Sequence, residues 1–304
     1  MYQAKLFEEE QHRQIVNVAS VPQRSPFRYP GGKTWLIPRI RQWVASMPTK
    51  PAELVEPFAG GASVGLAVAF EQLAQHVTLI ERDEQVAAVW QTILEGDVAW
   101  LAQKIVSFDL TLASAKQLLN KVDLTQQEQA LRTILKNRVN RGGILAPGAG
   151  MLKEGENGKG LASRWYPKTL EQRILAIAAR KKHIRFIQGD GLALLEEYAQ
   201  REDTAYFIDP PYTVGSKKAG SRLYTHSEID HERLFAMANS LRGDFLMTYD
   251  NDEQVRQLAR KYSFDQEAIA MKNTHHAEMT ELLIGRDLSW LRQQIQDQMP
   301  GSVK

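Results

Sequence analysis

The 304-residue chain contains no cysteine. Disulfides, thiolate zinc sites and cysteine nucleophiles are therefore excluded together. The chain also lacks any run approaching the roughly 18–20 apolar residues that a membrane span requires. Its first residues, MYQAKLFEEEQHRQ, are too polar for the apolar region of a signal peptide. We therefore expect a cytoplasmic protein that makes no membrane contact.

Net charge is small, but the positive charge is concentrated in one segment. The whole chain has 38 Lys and Arg against 36 Asp and Glu, whereas the segment Arg132–Arg185 has 13 against 3. A globular protein with such a segment has the electrostatic footprint of one that binds a polyanion. The alternative is a solvated surface with chance clustering, so the charge needs support from motifs.

Strand-like and helix-like segments alternate on both sides of the basic segment. In the first part, we predict strands at 52–58 and 77–81 and helices at 63–74 and 83–94. After the basic segment, five more strands are predicted at 184–188, 205–209, 244–249, 263–271 and 279–285, with helices near 230–241 and 252–260. This alternation favours a parallel sheet covered on both faces. The last two strands are close enough in sequence to form an antiparallel hairpin.

The segment between the two alternating parts has a different pattern. Leucine and alanine spacing predicts helices over about 97–136 and 168–182, while 139–166 is glycine-rich and irregular. The predicted organisation is an α/β domain formed by 24–94 plus 180–287, a basic helical insert at 95–179, and terminal extensions at 1–23 and 288–304.

The sequence EPFAGGASVG (56–65) joins the first predicted strand to the first predicted helix. Its glycines at 60 and 61 allow a tight turn and the close approach of a ligand. Ligands of open α/β sheets bind at the carboxyl ends of strands. Without the G-x-G-x-x-G of dinucleotide enzymes, the motif alone could equally be an ordinary strand–helix turn.

Glu81 ends the second predicted strand, about 20 residues after the glycine turn. An acidic residue at this place is suited to hydrogen bonding with the hydroxyls of a ribose. The alternative is a surface carboxylate next to Asp83, which is placed to cap the following helix.

The sequence DPPY (209–212) follows the apolar strand AYFI. Its two prolines fix the backbone and remove two N–H donors. The Asp209 carboxylate and the Pro210 carbonyl can then both accept hydrogen bonds from one NH₂ group, and the ring of Tyr212 can stack on a planar base. A plain loop is the alternative, but the position at the end of a buried strand favours chemistry on a planar amine.

Four motifs in this order resemble those of the Dam-type (D12 class, alpha group) site-specific DNA adenine-N6 methyltransferases: RYPGGK (28–33), EPFAGGASVG, IERD (80–83) and FIDPPY (207–212). The resemblance covers about residues 24–287, and the basic insert stands where that family has its target-recognition domain. It implies a Rossmann-like S-adenosylmethionine-dependent methyltransferase fold, with a mostly parallel seven-stranded sheet that ends in an antiparallel hairpin. The implied substrates are S-adenosyl-L-methionine and double-stranded DNA.

The same resemblance implies a cofactor site and a catalytic turn. The cofactor residues would be Tyr29, Lys33, Phe58, Gly60, Ala62, Glu81, Asp190 and Asp209. Tyr29 and Lys33 would contact the methionine part, and Asp190 would lie near the adenine. Asp190 is followed by Gly191, where the family usually has a bulky apolar residue. The catalytic residues would be Asp209, Pro210, Pro211 and Tyr212.

The sequence NRVNRGG (137–143) resembles the start of the family's DNA-facing loop. We therefore expect phosphate contacts from Arg138, Arg141, Lys153 and Lys159. A monomer or weak dimer is expected, associated with the nucleoid through DNA, and a cognate restriction enzyme is a candidate partner.

The implied reaction is a direct in-line displacement on a flipped base, without a metal. The absence of cysteine fits an exocyclic amine better than C5 of cytosine, because C5 methylation needs a covalent adduct. Cytosine N4 in DNA, adenine in RNA and a protein amide stay open as alternative targets. A non-catalytic DNA-binding module that keeps the fold is the alternative of a different class.

Overall fold

In the computed structural model, the described residues are 21–28, 31–153, 160–211, 229–272 and 278–292. The predictions for Tyr29, Lys159 and Tyr212 lie outside the described residues.

A seven-stranded sheet forms the centre of the protein. Its strands are β1 (Glu53–Glu56), β2 (His76–Glu81), β3 (Ile184–Gln188), β4 (Thr204–Ile208), β5 (Asp244–Asp250), β6 (Asp265–Lys272) and β7 (Glu278–Gly285). They lie in the order β3-β2-β1-β4-β5-β7-β6. The first five are parallel, and β7 is antiparallel to both β5 and β6. The predicted mostly parallel sheet with a C-terminal antiparallel hairpin is confirmed.

Helices cover both faces of the sheet. They are α1 (Ile37–Ser46), α2 (Ser63–Glu71), α3 (Glu84–Leu94), α4 (Val98–Ser107), α5 (Leu112–Leu119), α6 (Gln126–Val139), α7 (Pro167–Ala178), α8 (Gly191–Tyr198), α9 (His231–Ser240) and α10 (Glu253–Lys261). One apolar core includes Leu54 and Leu79, and a second includes Ile208 and Phe235. The strand order reverses between the parallel neighbours β1 and β4, since β2 and β3 lie on one side of β1, and β4 and β5 on the other. Open α/β sheets bind ligands at the carboxyl ends of the strands at such a point.

Two helices, α1 and α8, have no counterpart among the predicted elements. Helix α1 contains Pro38 in its first turn, where a proline is tolerated because its missing N–H has no helical partner. Trp43 anchors α1 to the sheet, since its side chain is 1% exposed and its indole N–H donates to Asp244 Oδ2 at 2.9 Å. Helix α8 has only eight residues, too few to show a clear period.

The predicted helical insert contains α4 to α7, of which α4, α6 and α7 pack against α3 and α5 packs against α6. Leu101 of α4, Ile134 of α6 and Ile174 of α7 belong to the same apolar core as Trp90 of α3. The region predicted as continuously helical is divided into α4, α5 and α6 by turns. The insert therefore shares its core with the α/β domain, and the proposed domain boundaries stay a prediction.

The basic cluster Arg180–His183 lies just before β3, which begins at Ile184. This is the amino-end edge of the parallel strands, opposite the edge where β1 and β4 end. Lys181, Lys182 and His183 are exposed. The cluster therefore lies on the far side of the sheet from the predicted active site.

Candidate active site

Acidic side chains are concentrated at the carboxyl edge of the sheet. Glu56 ends β1, Glu81 ends β2, and Asp209 directly follows β4. Because β7 is antiparallel, its first half lies at this same edge, and Glu281 pairs there with Asp250 of β5. The predicted catalytic and cofactor residues therefore come from neighbouring strands at one edge.

The glycine turn after β1 has an unusually tight backbone. Gly60 (φ 45°) and Ala62 (φ 49°) both adopt left-handed conformations, which cost an alanine about 1–2 kcal/mol. Gly65 allows α2 to pack directly on the sheet, because a Cβ there would lie 2.5 Å from Leu79 Cδ2 and 2.6 Å from Glu56 Oε2. Gly60, Gly61 and Ala62 are themselves buried, so the turn and the start of α2 lie close against the ends of β1 and β2.

Glu81 closes the glycine turn as well as ending β2. Its Oε2 accepts a hydrogen bond from Gly60 N at 2.8 Å, and its Oε1 accepts from the backbone N–H groups of Arg82 and Asp83, each at 2.8 Å. Burial raises the pKa of Glu81, and these backbone donors oppose the rise. A carboxylate has about four acceptor positions, so this group can also accept from ribose hydroxyls.

Asp190 lies at the end of β3, beside Glu81. Its Oδ1 accepts hydrogen bonds from the N–H groups of Leu192 and Ala193 at 2.9 and 3.3 Å, so it caps α8. The unusual Gly191 has a steric explanation, because a Cβ at that position would lie 2.1 Å from Pro57 O. Helix α8 therefore packs directly on the chain that follows β1, and no bulkier residue fits this backbone. Half-buried Phe58 lies in the same turn.

Asp209 is held from two sides by groups of the protein. Thr248 Oγ1 donates to its Oδ1 at 2.7 Å, and Lys33 Nζ lies 3.1 Å from its Oδ2. Pro210, which follows it, is buried, and Pro211 is half-buried. The resemblance directed Lys33 at the cofactor's methionine part, and the structure places its buried ammonium against the carboxylate of Asp209, the predicted catalytic residue.

Lys33 is 2% exposed and contacts further acceptors. Its Nζ donates to Gly31 O at 2.8 Å and lies 3.6 Å from Glu281 Oε2. Its backbone N–H donates to Ser63 Oγ at 3.1 Å, which ties the lysine to the first residue of α2. The lysine therefore lies between two carboxylates, within a rigid part of the site.

Two buried carboxyl groups, Glu56 and Glu281, were not among the predicted site residues. Burial raises the pKa of Glu56 to about 8, with a hydrogen bond from Gly65 N opposing the rise and the charge of Asp209 adding to it. Burial also raises the pKa of Glu281 to about 7, and there Lys33 opposes the rise. The sequence signal for Glu281 was a single charge inside the apolar strand MTELLIG.

The predicted DNA-contact residues that the structure describes differ in exposure. Arg141 and Lys153 are exposed. Arg138 is only 4% exposed, its Nη2 donates to Pro26 O at 2.5 Å, and burial lowers its pKa to about 9. An arginine fixed inside the protein in this way is a structural group, so its predicted phosphate contact is not supported.

The neighbouring Asn137 joins the insert to the chain that precedes the active site. This fully buried amide accepts from Arg28 N at 2.8 Å and donates to Arg28 O at 3.0 Å and to Gly143 O at 2.7 Å. A Cβ at Gly143 would lie 2.1 Å from Arg28 O, so the two chains are in direct contact. The DNA-facing loop therefore begins against the segment that leads to Lys33.

The sheet order, the glycine turn after β1 and the acidic end of β2 define the fold class of S-adenosylmethionine-dependent methyltransferases. The chain belongs to the D12 class N6 adenine-specific DNA methyltransferase family, whose model matches residues 29–273. The resemblance given by the four sequence motifs is thus confirmed. The protein is an adenine-specific DNA methyltransferase, and its family implies S-adenosylmethionine as the methyl donor and DNA as the substrate.

Solved structures give only distant similarities. The rRNA methyltransferase aviRa from Streptomyces viridochromogenes is 13% identical with a TM-score of 0.36, covering 92% of this chain and 93% of that one. Thermoplasma acidophilum protein 1320 is 9% identical with a TM-score of 0.38, covering 91% and 93%. The precorrin-6y C5,15-methyltransferase from Geobacter metallireducens is 9% identical with a TM-score of 0.33, covering 81% and 84%. Similarities this low add nothing to the family assignment. No curated protein matches the chain.

Two structural properties complete the description. Of the helices within the described residues, none is both long and apolar enough to cross a membrane. Within the same part of the chain, no three His, Asp or Glu side chains are grouped as metal ligands would be.

Proposed function

We propose that the protein methylates N6 of an adenine flipped out of double-stranded DNA, by direct in-line transfer from S-adenosylmethionine at Asp209. The observation that carries this proposal is the position of Asp209. The residue follows β4, at the place where the strand order of the sheet reverses. The neighbouring strand there is β1, which leads into the glycine turn. Family membership supplies the target amine and the polymer.

Adenine N6 is a weak nucleophile because its lone pair is delocalised into the ring. We expect the Asp209 carboxylate and the Pro210 carbonyl to accept the two N6–H groups and to direct the lone pair away from the ring plane. The sulfonium of the cofactor supplies an already activated methyl group. The protein therefore contributes positioning and electrostatic support for the positive charge that develops on N6. As the bond between N6 and the methyl carbon forms, the S–CH₃ bond of the donor would break with its electron pair staying on sulfur, so that S-adenosylhomocysteine leaves. The positively charged N6 would then lose one proton toward Asp209.

The target base must leave the duplex, because N6 is paired inside it. The proposed stacking partner is Tyr212, the last residue of DPPY. A stacked aromatic ring holds any flipped base, whereas the two acceptors at Asp209 and Pro210 select an amine. Adenine is therefore recognised twice, once by its face and once by its NH₂ group.

The cofactor fits the turn that joins β1 to α2. We assign the methionine part to the side of Tyr29, Lys33 and Asp209, and the ribose to Glu81. Gly60, Ala62 and Phe58 would line the pocket, with Asp190 near the adenine. The support for this assignment is the position of the turn at the carboxyl end of β1, where Gly60 N donates to Glu81 at the end of β2, because open α/β sheets bind ligands at this edge.

The DNA would bind the insert through the exposed Arg141 and Lys153, and through Lys159. Contacts of this kind set the register on the duplex, and other side chains of the insert would read base edges. We propose a monomer or weak dimer that acts in the cytoplasm on nucleoid DNA, with a cognate restriction enzyme as a candidate partner.

The direct test is nucleoside analysis by mass spectrometry after the purified protein is incubated with DNA and S-adenosylmethionine. The expected product is N6-methyladenine in duplex DNA. If the product is N4-methylcytosine, or if only RNA or protein is methylated, the proposed target, adenine N6 in DNA, is wrong. No heat of binding with S-adenosylmethionine in calorimetry, together with retained DNA binding, would identify a non-catalytic module.

A further inference from the structure

Thr248 is a buried hydroxyl group whose place in the reaction is not yet accounted for. It lies on β5, is 0% exposed, and has the core residues Met247 and Tyr249 as neighbours in the strand. The parallel register pairs Met247 with Ile208 of β4, so Thr248 lies beside Asp209. Its Oγ1 donates to Asp209 Oδ1 at 2.7 Å, within the range of a strong O–H···O bond.

The hydroxyl and Lys33 act on different oxygens of the same carboxylate. Thr248 contacts Oδ1, while Lys33 Nζ lies 3.1 Å from Oδ2. Two donors placed on the two oxygens fix the rotation of the carboxylate about its Cβ–Cγ bond. Since a carboxylate has about four acceptor positions, it can accept an amine N–H in addition to these two donors.

We propose that Thr248 is a positioning residue for the methyl transfer, which orients the Asp209 carboxylate so that it accepts the N–H of the target amine. This proposal rests on the role given to Asp209 under the proposed function. Thr248 itself contacts neither the base nor the cofactor. Its effect is on geometry, and small errors in the placement of an acceptor are costly in rate because the reaction depends on alignment.

The chain offers a matched pair of variants to test this. Thr248→Val keeps the shape and the strand preference of the side chain but removes the hydroxyl, whereas Thr248→Ser keeps the hydroxyl and removes a methyl group. A purely structural role predicts that the two variants differ mainly in stability. A positioning role predicts that they differ in turnover.

The measurements are kcat for DNA methylation, KM for DNA, the Kd for S-adenosylmethionine by calorimetry, and Tm. We expect Thr248→Val to lower kcat by about 10- to 100-fold, with KM and Kd within about 3-fold of the wild type. Thr248→Ser should restore kcat to within about 3-fold. If Thr248→Val does not fold, Thr248→Ala, which adds no bulk, replaces it in the same comparison.

A wild-type kcat for Thr248→Val, or equal losses for the valine and serine variants, would overturn the proposal. Asp209→Ala, measured in parallel, separates this from a failure of the proposed function. If Asp209→Ala is inactive while Thr248→Val is normal, only the positioning role is wrong. If Asp209→Ala methylates normally, the role of Asp209 is wrong and the positioning role is overturned with it.

Discussion

At the scale of single residues, the site contains one buried lysine among three carboxyl groups. Lys33 lies against Asp209 and Glu281, and Glu56 is near enough for the charges of both Lys33 and Asp209 to influence its pKa. One positive charge cannot balance three neighbouring negative charges, two of which, on Glu56 and Glu281, are buried. The fold therefore favours a protonated form of part of this cluster, as the raised pKa values of Glu56 (about 8) and Glu281 (about 7) indicate.

This charge imbalance predicts a specific pH dependence of stability. Because the pKa of Glu281 is raised in the folded state from 4.5 to about 7, the folded protein binds more protons than the unfolded chain between these values. The free energy of unfolding contributed by this group is therefore fully present below about pH 4.5 and is lost as the pH rises through 7. Glu281→Gln removes this loss, which amounts to about 3 kcal/mol.

Denaturant unfolding of the wild type and of Glu281→Gln from pH 5 to pH 8 would measure the effect. The stability of the variant relative to the wild type should increase from pH 5 to about pH 7 and then level off. Glu197→Gln, on the exposed side of α8, is the control and should follow the wild type. Parallel pH profiles for Glu281→Gln and the wild type would contradict the account.

At the scale of elements, the strands were predictable from the sequence, but some of the contacts between elements were not. All seven strands lie at the predicted segments. The nearly continuous burial of β1, β2, β4 and β5 explains why their apolar runs were recognisable as parallel strands. Arg138 was expected to contact phosphate because NRVNRGG (137–143) resembles the start of the family's DNA-facing loop. Its burial depends on the carbonyl of Pro26, 112 residues away in the chain. Nothing in the local pattern of α6 indicates such a partner.

In the predicted site, too, the contacts between residues distant in sequence could not be predicted. The sequence identified Asp209, Glu81 and the glycine turn, because each lies at the end of an element whose type is evident. The position of Lys33 between Asp209 and Glu281 depends on the antiparallel pairing of β7 with β5, which brings Glu281 to this edge. Long-range register of this kind is a property of the assembled sheet.

The contact between α6 and the segment around Arg28 can be tested by removing the Asn137 amide. Asn137→Ala would leave the backbone groups of Arg28 and Gly143 O without their buried amide partner. We expect a loss of about 2–3 kcal/mol in the free energy of unfolding. We also expect weaker binding of S-adenosylmethionine, because the released segment leads to Lys33. Denaturant unfolding and calorimetry would measure the two effects.

Asn120→Ala, at the exposed end of α5, is the matched control for Asn137→Ala. It should leave the affinity for S-adenosylmethionine unchanged and cost little stability. Equal effects of the two substitutions would show that the hydrogen bonds of the Asn137 amide do not hold the insert to the segment that leads to Lys33.

At the scale of the whole molecule, the positive charges of the basic segment lie at both edges of the sheet. Arg141 and Lys153 belong to the loop that contacts the segment before the active site, whereas Lys181 and Lys182 precede β3 at the opposite edge. Two double variants with the same change in net charge can therefore separate a local contact from a general electrostatic effect.

We expect Arg141→Ala with Lys153→Ala to weaken DNA binding and to reduce the slope of log K against log salt by about one for each lost phosphate contact. Lys181→Ala with Lys182→Ala should leave the slope unchanged. Fluorescence titrations with duplex DNA at several salt concentrations would give both slopes. Identical slopes for the two double variants would mean that the DNA does not bind at the loop that carries Arg141 and Lys153.

The central claim is that Asp209 carries the methylation of adenine N6, and one pair of variants tests it most directly. Asp209→Ala is compared with Asp203→Ala, an exposed aspartate just before β4, by counting N6-methyladenine formed in duplex DNA. The account predicts that Asp209→Ala binds DNA with wild-type affinity and forms no detectable N6-methyladenine, while Asp203→Ala retains normal turnover. Normal methylation by Asp209→Ala would contradict the account.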